Sequence, residues 1–130
     1  DTFDMRNGET IARVRVAAVD SPEKNQPFGP EAKRLTEKMS LERTVTVRWK
    51  DYDKRYDRYI GYVNCPGNKD LGETLLKAGL AWHYRAYDKD DVLQGMEDEA
   101  RKSHRGLWKD EKNACAPWDW RHGKKTAFFK

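Results

Sequence analysis

Residues 8–23 read GETIARVRVAAVDSPE, and the alternation inside this stretch decides the fold. Val14, Val16 and Ala18 fall on one side of an extended chain, and Arg13 and Arg15 on the other. Period two with apolar and charged faces predicts a half-buried strand over 8–19. Upstream, Asp1–Met5 is set off by the turn residues Asn7-Gly8 and reads as the hairpin partner of that strand. Downstream, Val45, Val47 and Trp49 alternate with Thr46, Arg48 and Lys50 in a second run. Tyr59–Val63 forms a third, ended by Pro66-Gly67.

Three helices are spaced among these strands. One opens at Gly29-Pro30-Glu31, with proline where a first helical turn tolerates it, and carries Ala32, Leu35 and Met39 on one side. Another starts at Asp70, pairs it with Glu73 in a capping-box pattern, and runs through Leu71, Leu75 and Ala78 to Gly79. A third starts near Asp91, aligns Leu93, Met96 and Ala100, and stops at Gly106. The order predicts an α+β fold, a small curled antiparallel sheet with helices packed on it. A five-stranded oligonucleotide-binding barrel fits this order if one more strand exists.

With 130 residues the chain suits one domain with a single core. Charged residues make up 37% and mean hydropathy is −1.08, which excludes an integral membrane protein of helical type. Fifteen aromatic residues, five Trp, six Tyr and four Phe, argue for a folded core despite that charge. The 26 Lys and Arg outnumber 22 Asp and Glu for a net +4, a balance that suits a polyanion. From Arg121 to Lys130 there are four basic residues and no acidic one, expected to be a solvated end. The two cysteines, Cys65 and Cys115, fit a disulfide or two thiols equally well, and no zinc spacing is present.

The turn Val19-Asp20-Ser21-Pro22-Glu23 puts two carboxylates close together at a strand end. That grouping suits a hard cation or acid–base work, and the same letters also make an ordinary polar turn. Arg15, upstream on a strand face, could grip a phosphate bidentately. In Lys54-Arg55-Tyr56-Asp57-Arg58-Tyr59, basic and aromatic residues interleave, as phosphate contact combined with base stacking requires. A charged hairpin loop has the same composition.

Six segments taken together, RVRVAAVDSPE, QPFGPEAKRLTEKM, DKRYDR, LLKAGLAWHYRAY, EARKSHRGLW and APWDWR, are similar in order and spacing to the staphylococcal (micrococcal) nuclease family. The resemblance runs from Asp1 to about Arg121, leaving 122–130 as a basic tail beyond a domain at 1–121. It implies the oligonucleotide-binding barrel with three helices and a calcium-dependent phosphodiesterase. Such an enzyme cuts DNA and RNA by metal-assisted attack of water and leaves 3′-phosphate ends. Arg15 and Arg58 match the family's phosphate-binding arginines, and Glu23 the general base. Asp20 matches a calcium carboxylate, and Ser21 a residue, usually threonine, that ligates through its backbone carbonyl. Asp1 lies where the family's other calcium aspartate does, at the end of an aspartate-glycine-aspartate-threonine motif of which Asp1-Thr2 remain. Arg55 and Tyr56 would line the nucleotide site, and Tyr84 or Tyr87 would stack on a base. His83, His104 and His122 take no catalytic part in this scheme and are expected on the surface or in packing.

The resemblance also carries departures. The family's first barrel strand precedes the position of Asp1 and is absent from this sequence. Asp57 stands where the family usually has glycine before the second arginine, a tolerable exchange if that position needs positive φ. Family members are commonly secreted or periplasmic, a setting in which a Cys65–Cys115 bridge is conceivable. A monomer acting on DNA and RNA, with Ca2+ as cofactor and no membrane contact, is expected. The rival reading is a catalytically impaired nucleic-acid-binding module on the same fold. A binder needs the arginines but has no use for Glu23.

Overall fold

The computed structural model describes residues 1–123. Most of the basic tail expected at 122–130 therefore lies outside the described residues. Strand β1 (Thr2–Asn7) pairs antiparallel with β2 (Thr10–Val16) through the two-residue turn Gly8-Glu9, one position later than the expected Asn7-Gly8, with Gly8 taking φ 67°. Phe3 and Met5 point to the core, and Thr2, Asp4 and Arg6 face outward. Strand β3 is the pair Val19–Asp20, followed by helix α1 (Gly29–Ser40). Strands β4 (Thr46–Asp53) and β5 (Arg58–Cys65) form an antiparallel ladder with a bulge between Trp49 and Asp51. The short β6 (Lys69–Asp70) leads into α2 (Leu71–Lys77), and β7 (Trp82–His83) into α3 (Asp91–Lys102). A 3₁₀ segment, Gly106–Asn113, broken at Asp110, precedes a five-residue helix α4 (Pro117–Arg121).

The main sheet runs β1-β2-β5-β4, with β6 on β5, and β3 pairs with β7 in a separate two-stranded ribbon. The α+β class holds. The expected all-antiparallel arrangement does not, because β2 and β5 run parallel, with Val14 opposite Tyr59 and Val16 opposite Gly61. Two helical segments beyond the three expected follow α3. Among the described residues the sheet is open, its order ending at β1 on one side and β4 on the other, so no closed barrel is formed.

The core gathers Val14, Val16, Val19, Val63, Leu71, Leu75, Leu76 and Ala81 between sheet and helices. Leu93 and Ala32 bring in α3 and α1, with Leu35, Met39 and Met96 packed around them. At about 1.5–3 kcal/mol for each fully buried aliphatic side chain, this cluster supplies the main force of folding. A second cluster, Ala100, Leu107 and Trp108, takes in Trp82 and Phe28. Trp82 meets Trp108 edge-on at 4.7 Å, and the Arg101 guanidinium lies 4.2 Å from the Trp108 ring centre.

Capping follows the sequence signals. Asp70 Oδ1 accepts from the Glu73 amide at 2.9 Å to start α2, and Asp90 caps α3. Two strand residues depart from the exposure expected of them. Arg15 lies on the charged face as expected, yet it is 9% exposed, because Val16 O, Val19 O and the Asp20 carboxylate take up its guanidinium. Trp49 was placed on an apolar face, yet it is 50% exposed, packed on Tyr59 near the open side of the sheet. Cys65 lies in the main core, and no disulfide joins it to Cys115.

Candidate active site

The site is built where β2 gives way to β3. After Val16 the Ala17 amide donates to Gly61 O at 2.8 Å, and Ala18 turns the chain with φ 70°. That kink lets Val19–Asp20 pair with Trp82–His83, Asp20 lying opposite Trp82. Asp20 is thereby fixed at 1% exposure, a carboxylate buried by the backbone that carries it.

Arg15 reaches the same corner from β2. Its Nη1 donates to Val16 O and, at 2.6 Å, to Val19 O, so half of the guanidinium is anchored to the kinked backbone. Its Nη2 lies 3.7 Å from Asp1 Oδ2 and 3.5 Å from Asp20 Oδ1. Burial lowers the pKa of the Arg15 guanidinium, while the Asp20 charge opposes that shift. Asp1 Oδ2 in turn accepts from the Ser21 amide at 3.1 Å, tying the start of β1 to the acidic turn.

Glu23 is held by a compact loop. Its amide donates to Gln26 Oε1 at 3.0 Å, and its carbonyl accepts from the Gln26 amide at 2.9 Å. Gly29 passes so close that a Cβ there would sit 2.0 Å from Glu23 O. Gln26 is 3% exposed and donates to Cys115 O, which pins the loop to the segment before α4.

Arg58 stands at the start of β5, the neighbour of β2 in the sheet. Its Nε bonds Asp53 Oδ2 at 3.2 Å and its Nη1 bonds Thr2 Oγ1, also at 3.2 Å, next to Asp1. The Tyr56 ring centre is 4.8 Å from the Arg58 guanidinium and 5.9 Å from that of Arg55. Asp57 takes φ 48°, so the chain here does need positive φ, and its carboxylate accepts from Tyr52 rather than turning toward Arg58. Tyr84 lies 5.9 Å from the Arg15 guanidinium and meets Tyr87 edge-on at 4.8 Å.

All of the sequence-derived candidates, Asp1, Arg15, Asp20, Ser21, Glu23, Arg55, Tyr56, Arg58, Tyr84 and Tyr87, border one open cleft. Two further residues there were not singled out from sequence. Trp118 stacks flat on Tyr84, with 5.3 Å between ring centres and 1° between planes. Arg121, counted with the solvated tail, closes α4 over the acidic turn instead. Its Nη1 bonds Asp20 Oδ1 at 3.2 Å and Glu23 Oε1 at 2.7 Å, and its Nη2 bonds Asp20 Oδ2 at 2.7 Å. Hydrogen bonds to Asp20, and then to Glu23, raise its pKa. The only sequence signal for either residue was the segment APWDWR, with proline at the first helical position.

The histidines keep out of the cleft's chemistry, except that His122 stands at its edge. His83 is 2% exposed, its ring nitrogens 2.8 Å from Asp88 Oδ1 and 2.9 Å from Gln94 Oε1. It belongs to a packed polar network with Glu97, whose Oε1 accepts from the His83 amide at 2.7 Å.

The donor set of the acidic corner suits a hard cation. Asp1 and Asp20 face the same Arg15 nitrogen, and the buried Ser21 hydroxyl has no hydrogen-bond partner among the described residues. All available donors are oxygens, the ligands calcium takes. A positive group, Arg121, already sits between Asp20 and Glu23. Among the described residues no three acidic, histidine or cysteine side chains converge as a metal centre, so a cation here would rest on two carboxylates and neutral oxygens.

Comparison with known proteins gives the chain's family. Residues 13–110 match the family model described as staphylococcal nuclease homologue. The chain is 36% identical over 124 residues to an uncharacterized endonuclease of Escherichia coli O157:H7, covering 95% of this chain and 80% of that protein. It is 36% identical over 137 residues to a micrococcal nuclease of Shigella flexneri, covering 98% of this chain and 78% of the relative. A staphylococcal-like nuclease, CAN1 of Arabidopsis thaliana, is 42% identical over 124 residues, 93% of this chain but 38% of the plant protein. No helix among the described residues is long and apolar enough to cross a membrane. The matched span and the similarity to these relatives establish that the chain belongs to the staphylococcal nuclease family.

Proposed function

We propose that this chain is a calcium-dependent endonuclease that hydrolyses phosphodiester bonds in DNA and RNA and leaves 3′-phosphate ends. The observation that carries the reading is that Asp1, Arg15, Asp20, Ser21, Glu23 and Arg58 line one cleft, with Arg15 against Asp1 and Asp20, the Ser21 amide on Asp1, and Arg58 bonded to Thr2 next to Asp1. The nuclease names of the relatives from Escherichia coli and Shigella flexneri support the same chemistry. Residues 1–121 form the nuclease domain and 122–130 a basic tail. The family resemblance also underlies the assignment of the enzyme, as a monomer, to a secreted or periplasmic setting.

The residues divide the work by position. Arg15, fixed through Nη1 to two carbonyls, keeps Nη2 directed at the acidic corner, where a phosphate oxygen can replace carboxylate as its partner. Arg58 faces that point from β5, its planar fork held by Asp53 and Thr2. Two guanidinium groups set in advance stabilise charge that grows on the phosphate oxygens as water adds, each by about 3 kcal/mol. Glu23 accepts the proton of the attacking water, phosphorus gains the new oxygen, and the bond to the 5′ oxygen breaks, that oxygen taking a proton from solvent to leave as a 5′ hydroxyl. Asp1, Asp20 and the Ser21 carbonyl would hold the calcium ion, which when bound offsets phosphate charge and acidifies water. Tyr56 beside Arg58, and Tyr84 beside Arg15 or Tyr87 edge-on against Tyr84, offer ring surface to bases on either side of the scissile bond.

Cleavage of a labelled single-stranded DNA in calcium, with and without chelator, tests the proposal. Cleavage that chelator abolishes is expected. Retained binding without cleavage in calcium would instead identify an impaired binding module.

A further inference from the structure

Arg121 is the one residue of the acidic corner that the proposed chemistry leaves without a task. It is no peripheral decoration. Asp20 is 1% exposed, and both of its oxygens are taken by the same guanidinium, at 3.2 and 2.7 Å. The Nη1 that holds Asp20 also holds Glu23 at 2.7 Å, so the ligand carboxylate and the base are tied together. Ion pairs between two exposed side chains contribute little, but a fork on a buried carboxylate is a stronger contact.

A cation bound to Asp20 would need an oxygen lone pair on the side that Arg121 now covers, and hard-cation bonds at about 2.4 Å leave no room for a guanidinium nitrogen on the same lone pair. Charge points the same way. With Arg121 withdrawn, Glu23 loses its ion-pair partner and Asp20 keeps only the 3.5 Å pairing with Arg15, which Asp1 shares, so the corner gains negative charge that a divalent ion can balance. The lever for withdrawal is visible. Arg121 is the last residue of a five-residue helix, its side chain is 38% exposed, and two residues beyond it Gly123 takes φ 77°.

We infer that Arg121 is an internal competitor of the divalent cation, occupying Asp20 and Glu23 until the ion displaces it. The inference rests on the calcium site proposed above. Arg121 therefore sets the affinity of the site: the fork must leave Asp20 before the cation is fully seated, and each removed cation lets it return.

Calorimetric titration of calcium into wild type, Arg121→Gln and Asp20→Ala, with no substrate present, separates the two layers. Removing a competing charge in contact with the ligand carboxylate should tighten calcium binding about tenfold or more in Arg121→Gln. Unchanged or weaker binding in that variant overturns the inference, since Arg121 would then be organising the carboxylates. An unchanged isotherm in Asp20→Ala overturns the calcium site itself. Wild-type protein supplies a second reading that needs no variant. The Arg121 Nε–H resonance in a nitrogen-15 spectrum should move on calcium addition, and a resonance that stays fixed at saturation refutes displacement.

Discussion

Arg15→Lys keeps the charge of the acidic corner and removes its shape. In the native site Nη1 donates to two backbone carbonyls, one at 2.6 Å, while Nη2 faces Asp1 and Asp20 within 3.7 Å. A lysine ammonium is a single point on a flexible stem and cannot serve the kink and the carboxylates together. A hydrogen bond from a charged donor contributes about 1.5–3 kcal/mol, and at least one to the kink would be lost. Asp20, 1% exposed, would also lose part of its pairing, which brings the total to about 3 kcal/mol. For a domain of this size that is a fall in melting temperature of about 10 °C. Cleavage should fall about a hundredfold or more, because a guanidinium donor is lost from the growing charge. Calorimetric melts and steady-state cleavage of a fluorescent oligonucleotide give the two numbers. A variant melting within about 2 °C of wild type would refute the claim that Arg15 holds the kink.

Other perturbations probe the supports of the site. Gly29→Ala places a Cβ 2.0 Å from Glu23 O, so the Glu23 loop must move. A loss of about 1–3 kcal/mol in chemical denaturation, with reduced cleavage, is expected. Asp70→Ala removes the acceptor for the Glu73 amide and should cost about 1 kcal/mol without altering the cleavage rate at 25 °C. Asp88→Asn tests pH dependence. Burial pushes the Asp88 carboxyl up, but hydrogen bonds from His83 and the Asp90 amide outweigh it and hold the pKa below its ordinary 3.8. A depressed acid stabilises the fold above its unfolded pKa and loses that contribution as pH falls through the folded value. The stability gap between wild type and Asp88→Asn should therefore be full at pH 6 and narrow as pH falls below about 4; a gap that is constant with pH would contradict the pairing.

What the sequence made legible follows from what is local. The β1–β2 hairpin, its turn at Gly8-Glu9 one position past the one expected, the Pro30 start of α1 and the Asp70 cap of α2 depend on residues within a few positions of each other, and all three are present. The positive φ at Asp57 is present too, but only the family's glycine at that position, and no local pattern, suggested it. The parallel pairing of β2 with β5 was not legible, because alternation fixes faces and says nothing of partners. Arg15 shows the same limit: its face was assigned correctly, but Val16 O, Val19 O and the Asp20 carboxylate take up its guanidinium around a turn at Ala18 that no glycine announced. Strands β3 and β7, two residues each, and α4, five residues, are shorter than any period that could reveal them. Arg121 reaches a carboxylate 101 positions away, a contact set by tertiary packing and invisible to local pattern.

The central claim is that Arg15, Arg58, Glu23 and Asp20 serve one phosphorus atom. A crystal structure of the Glu23→Gln variant with calcium and a short single-stranded DNA measures this directly. The account predicts one phosphate within hydrogen-bond distance of both guanidinium groups, with calcium on Asp20 and residue 23 facing the water opposite the 5′ oxygen. Arg15 and Arg58 on different phosphates, or calcium seated away from Asp20, would contradict it.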